Sequence, residues 1–191
     1  VARELDQIIV IDLEATCWQG TPPPGQEQEI IEIGVCAVDS LSGNRLAKES
    51  IVVRPQRSQV SPFCTALTTL TQVQVEQGIA FDDALVHLRK TYNIRDRAWA
   101  SYGDFDRRLF ERQCRAWNIP YPFNATHLNV KTLFALAYGL PHEVGMDTAL
   151  QKLGLPLEGT HHRGGDDAWN IALILGILLK RLHTLGDVGI S

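Results

Sequence analysis

Five residues near the start of the chain, Gln7-Ile8-Ile9-Val10-Ile11, constrain the fold most. A short β-branched run without polar alternation is the pattern of a strand buried on both faces. Such a strand must be covered on both sides, which predicts an α/β chain whose central sheet is flanked by helices. The run ends in Asp12-Leu13-Glu14 and is followed by Trp18-Gln19-Gly20-Thr21-Pro22-Pro23-Pro24-Gly25, which reads as a loop.

Ile30 to Asp39 and Leu46 to Arg54 read as two more strands, joined by a short turn containing Gly43-Asn44, so a three-strand meander opens the chain. The character then becomes helical. Thr71-Gln72-Val73-Gln74 fits a capping box. Helices are expected over Phe81–Tyr92, Phe105–Trp117, Val130–Tyr138, Asp147–Leu153 and Asp166–Leu182, with a short strand at Ala98–Ser101. In the last helix, positions 168, 171, 172, 175, 178, 179 and 182 follow helical spacing and are expected to face the core. The tail from Gly186 to Ser191 is expected to fray.

The 191 residues are 45% apolar and 21% charged, which fits one globular domain over 1–191 with its core at about 7–182. Disorder is excluded as the main theme. The longest apolar run, Ile171 to Leu179, falls short of the roughly 18 residues of a membrane span. Val1-Ala2-Arg3-Glu4 has no apolar signal segment, and Cys17, Cys36, Cys64 and Cys114 form no C-x-x-C pair. Both features suit a reducing, cytoplasmic setting. The net charge of −4 speaks against a bulk binder of duplex nucleic acid. It is compatible with an acidic site that two divalent cations would neutralise.

Three acidic groups stand out. Asp12 and Glu14, at i and i+2 on an extended strand, share one face at roughly 7 Å. Their mutual repulsion is relieved either by a cation or by solvation beyond the end of the strand. Ser101-Tyr102-Gly103-Asp104-Phe105-Asp106 lies at a strand–helix junction, where Asp104 can cap and Asp106 falls in the first turn. In His161-His162-Arg163-Gly164-Gly165-Asp166-Asp167, the glycines break the chain before a helix capped by Asp166, and Asp167 sits in its first turn. Taken singly, each group has a routine explanation.

In order and in register, the three groups resemble the DEDDh branch of the DnaQ-like 3′→5′ exonucleases, closest to the Eri-type group that includes histone-mRNA 3′ exonucleases. The matching motifs are I-D-L-E-A-T, Y-G-D-F-D-x-x-x-F and H-R-G-G-D-D-A-x-N. Supporting phrases are Glu29-Ile30-Ile31-Glu32-Ile33-Gly34, Val53-Arg54-Pro55, Leu67-Thr68-Thr69-Leu70-Thr71 and Lys152-Leu153-Gly154.

The resemblance implies an RNase H-like fold and two Mg²⁺ or Mn²⁺ ions held by Asp12, Glu14, Asp106 and Asp167. It implies His162 as general base for the attacking water, and release of nucleoside 5′-monophosphates from single-stranded 3′ ends, RNA favoured. Asp104 is the register alternative to Asp106, and His161 with Asp166 is the alternative to His162 with Asp167. The implied substrate contacts are backbone groups near Ala15, Thr16 and Cys17 on the terminal sugar, Trp18, which either closes over the nucleotide or packs its loop down, and Phe105. Phe105 can stack on the terminal base or pack the helix start. Arg108, Arg112 and Arg115 share one helical face, which either tracks phosphates or is simply solvated. A binding module that has lost turnover and a polymerase-associated proofreading subunit are the competing functions.

Overall fold

The computed structural model describes residues 4–186. In chain order the elements are β1 (Glu4–Ala15), β2 (Ile30–Asp39), β3 (Arg45–Val52), α1 (Pro62–Thr68), α2 (Gln72–Glu76), α3 (Phe81–Tyr92), β4 (Arg97–Ser101), α4 (Phe105–Ala116), β5 (His127–Asn129), α5 (Val130–Ala137), α6 (Met146–Leu153) and α7 (Gly164–Gly186). The sheet order is β3-β2-β1-β4-β5. β1 pairs antiparallel with β2, and β2 with β3, while β1–β4 and β4–β5 are parallel.

The non-alternating run at the start is the central strand, and its side chains divide by parity. Ile9, Ile11 and Leu13 enter one core with α3 and α4 residues such as Phe81, Leu85 and Phe110. Ile8 and Val10 enter the other, with Phe134 of α5, Leu150 of α6 and Ile171 and Leu175 of α7. The period of two then carries Asp12 and Glu14 onto the α7 face. This parity aims the acids at the last helix.

Several sequence expectations need correction. β1 runs to Ala15, so Asp12 and Glu14 lie on the strand at i and i+2, and the alternative of solvation beyond its end does not hold. α7 begins at Gly164, so Asp166 lies within the first turn and is not the cap. Its carboxylate instead pairs with Lys48 and accepts the Thr160 N–H at 2.8 Å. Leu182 is 62% exposed, whereas Ile174 is buried in the core. The short β5 and α1 are additional to the elements expected from the sequence. Of the tail, only Gly186 lies within the described residues.

The capping box is present as expected: the Thr71 hydroxyl accepts from Gln74 N–H, and the Gln74 side chain caps the Thr71 N–H. The glycines before the last acid pair work by contact. A Cβ on Gly34 of β2 would stand 1.8 Å from the Gly164 carbonyl oxygen, so α7 can touch the sheet only because that Cβ is missing. No helix among the described residues is long and apolar enough to cross a membrane.

Candidate active site

Where β1 ends, a cavity of about 380 Å³ opens, lined by Asp12, Glu14, Ala15, Cys17, Phe105, Asp106, His161, His162 and Asp167. Gln28, Leu67, Tyr102 and Met146 complete much of its wall. Carboxylate oxygens of Asp12, Glu14 and Asp167 lie within 4.8 Å of one another. Asp106 reaches the cavity from the start of α4, its Oδ1 accepting the Leu13 N–H at 3.0 Å. Four acids from three distant stretches therefore converge.

The structure also separates the register alternatives. Asp104 occupies the N-cap position of α4 without capping it, binds Arg107 at 3.2 Å, and is not among the cavity residues. Asp166 points away toward Lys48. Both histidines stay in the cavity wall, with rings stacked at 4.0 Å. His161 Nδ1 lies 3.0 Å from Asp167 Oδ2, whereas His162 donates its backbone N–H to the same oxygen at 2.9 Å. His162 adopts the left-handed region, with φ at +61°, which turns the chain tightly into α7.

Crowded carboxylates in a cavity resist ionisation. Burial, then Asp106, Asp167 and Glu14, hold the Asp12 carboxyl well above its ordinary range. Burial, then Asp167, Glu32 and Asp106, push Glu14 up to about 8. Burial drives Asp106 to about 7 against the opposing Leu13 hydrogen bond, and it also raises Asp167 against the pull of His161. Burial and the neighbouring His161 hold His162 below its ordinary value, so its imidazole stays neutral.

Such an acid set is a poor binder of phosphate by itself and a good binder of a hard cation, for which carboxylate oxygens are the preferred donors. The divalent metal that this type of site implies therefore fits the residues present.

The expected substrate contacts divide. Ala15, Cys17 and Phe105 line the cavity, and Phe105 is 51% exposed at its rim. Thr16 does not reach it: the side chain is fully buried, its hydroxyl donating to the Glu27 carbonyl and accepting from Glu29 N–H. Thr16 thus closes the base of the loop. Trp18 is partly exposed and lies outside the cavity wall. The Cys17 carbonyl is taken by the Ser61 hydroxyl at 2.6 Å, and the Ala15 carbonyl by the Cys64 thiol at 3.4 Å. The Cys17 thiol, pushed up to about 12 by burial and Cys64, remains protonated.

Sequence reasoning missed Glu32. It faces Glu14 directly across the β1–β2 ladder, is fully buried, and accepts from Arg163 and from Gly164 N–H at 2.8 Å. Like charges opposite one another destabilise a sheet, and Arg163 supplies the compensating charge. The phrase Glu29-Ile30-Ile31-Glu32 carried the signal, but its partner lies 131 positions away.

Fold and site together define a class: an RNase H-like sheet whose central strand and two flanking helices bring four carboxylates and a histidine pair into one cavity. The chain belongs to the exonuclease (RNase_T) family, whose family model matches residues 9–175. It is 32% identical over 185 residues to 3′-5′ exoribonuclease 1 of Rattus norvegicus, covering 92% of this chain and 53% of that protein. It is 27% identical to the 3′-5′ exonuclease Snipper of Drosophila melanogaster, covering 88% and 67%.

Among solved structures it resembles the nuclease domain of 3′hExo, a DEDDh family member bound to rAMP, with a TM-score of 0.83, 30% identity and 92% of each chain covered. A structure of 3′-exonuclease with the histone mRNA stem-loop matches at 29% identity and a TM-score of 0.83, covering 94% of this chain and 65% of that one. The chain spans about half the length of the mammalian exoribonuclease 1 relatives it matches.

Proposed function

We propose that residues 7–182 form a metal-dependent 3′→5′ exonuclease that removes nucleoside 5′-monophosphates from single-stranded 3′ ends, RNA favoured. The observation that carries this reading is the convergence of Asp12, Glu14, Asp106, Asp167 and His162 on one cavity. Asp12, Glu14, Asp106 and Asp167 would hold a pair of Mg²⁺ or Mn²⁺ ions. When bound, the ions would polarise the scissile phosphate and stabilise the leaving 3′ oxygen.

His162 acts as general base: its neutral imidazole takes the proton of the attacking water. Asp167 fixes the backbone of that histidine by accepting its N–H. Phe105 at the rim offers a face for the terminal base, and Ala15 and Cys17 bound the sugar. The names of the relatives support RNA over DNA.

The test is incubation of the purified chain with matched 5′-labelled RNA and DNA oligomers in Mg²⁺, in Mn²⁺ and in chelator. Stepwise shortening from the 3′ end, with 5′-monophosphates released and activity lost in chelator, is expected. Binding without shortening would identify a module that has lost turnover.

A further inference from the structure

An acid-walled cavity repels the polyanion whose end it must admit, so cationic groups are needed outside it for the phosphates upstream. We infer that Arg108, Arg112 and Arg115 of α4 form a track for the phosphodiesters on the 5′ side of the strand whose 3′ end occupies the cavity. This rests on the exonuclease reading and adds the part of the substrate that the cavity does not hold.

α4 starts at the cavity rim with Phe105. At 3.6 residues per turn, Arg108, Arg112 and Arg115 follow along the side of the helix that Phe105 occupies, reaching about 15 Å from it along the axis. The opposite side is buried through Asp106, Leu109, Phe110, Gln113 and Cys114. The track meets the cavity wall directly: Arg112 Nη2 donates to Gln28 Oε1 at 3.1 Å, and Gln28 lines the cavity.

These guanidinium groups are not held as those of Arg45, Arg97 and Arg163 are. Arg45, Arg97 and Arg163 hold carboxylates at 2.9, 2.6 and 3.1 Å. Arg108, with its side chain 74% exposed, only grazes Asp104 at 4.0 Å. Among the described residues no carboxylate lies within 4.0 Å of the Arg112 or Arg115 guanidinium. The remaining acid of this helix, Glu111, three residues after Arg108 and four before Arg115, is half-buried near Tyr121 and makes no ion pair within 4.0 Å among the described residues. The stripe stands out on a chain of net charge −4. Single-stranded phosphates repeat at a spacing that a track of this length meets two or three times, so it serves strands longer than a dinucleotide.

The experiment compares wild type with the triple variant R108Q/R112Q/R115Q and with R89Q/K90Q/R95Q, which removes three exposed positive charges elsewhere. The first readout is the ratio of kcat/KM on an eight-nucleotide strand to that on a dinucleotide. The second is binding of the labelled eight-nucleotide strand by anisotropy in chelator, across a salt series. The α4 variant should lower the ratio about tenfold and flatten the salt dependence of log K by about 2, from roughly 0.7 per phosphate contact on single strands. The control should change neither. An unchanged ratio and salt slope overturn the inference. An equal loss in the control overturns it too. If no strand is hydrolysed, the exonuclease reading fails, while the anisotropy series still decides whether the stripe holds phosphates.

Discussion

Asp106 accepts the Leu13 N–H at 3.0 Å, which ties the helix-borne acid to the strand between the two strand-borne acids. A carbonyl oxygen can accept that bond as a carboxylate does. Asp106→Asn should therefore fold while losing a charged oxygen from the site. We expect kcat to drop by more than the ~10–100-fold that outer partners of metal ligands cost. Near pH 8 in chelator the variant should melt no lower than wild type, because it no longer buries a carboxylate whose neutral form the fold prefers. Steady-state kinetics and thermal melts check both outcomes.

The same crowding predicts a pH dependence of stability. Glu14 and Asp106 rise from ordinary values to about 8 and about 7 on folding, so between the unfolded and folded values the native state binds more protons. Stability must then fall as pH rises. His162 and His127, both held low by burial, give the opposite slope, but only below the ordinary histidine value of 6.5. The window from pH 6.5 to 8 thus belongs to the acids. In chelator the melting temperature should decline across it, and saturating Mn²⁺ should remove the decline. A melting temperature in chelator that climbs through this window would contradict the acid cluster.

These behaviours are partly legible in the sequence. The i, i+2 spacing of Asp12 and Glu14 needed only the strand, and Asp167 needed only a helix start, because both relations are local. Which helix the strand-borne acids would meet was legible only through the family resemblance, not through the local pattern. It depends on the parity of β1 and on α7 packing against β2, which a one-dimensional pattern does not contain. For the same reason Glu32 stands in the sequence only as part of a supporting phrase. Its meaning appears only with Arg163 and Gly164 beside it. Thr16 enters the sequence reading only through its backbone, and the two hydrogen bonds that turn its side chain inward join stretches that no local pattern relates.

The adjacent histidines separate by substitution. Position 162 lies at a φ of +61°, where asparagine is tolerated better than most residues, so His162→Asn keeps the turn and removes the proton acceptor. Loss of a general base costs about 10²–10⁴-fold, and kcat of His162→Asn should fall by that much. His161→Asn removes a side chain that is 40% exposed beside Asp167, and its kcat should fall less than about tenfold. The reverse order in single-turnover assays would move the base to His161.

Gly34 gives the sharpest test of how the fold sets the site. A methyl group there would stand 1.8 Å from the Gly164 carbonyl oxygen and 2.5 Å from the Gly165 nitrogen, both backbone atoms at the start of a long helix. No rotamer change relieves such a contact, so Gly34→Ala must push the start of α7 off the sheet. Overpacking of this kind costs about 1–3 kcal/mol, which denaturant melts would read as a lower midpoint with an unchanged slope. Asp167 and the His161–His162 turn move with the helix start, while Asp12, opposite Gly34 on the neighbouring strand, stays with the sheet. The displacement therefore widens the gap between the acids it separates. Mn²⁺ affinity and kcat should fall together, even at temperatures where the variant is fully folded. A folded Gly34→Ala protein with wild-type Mn²⁺ affinity would mean that the contact between α7 and β2 does not set the spacing of these carboxylates.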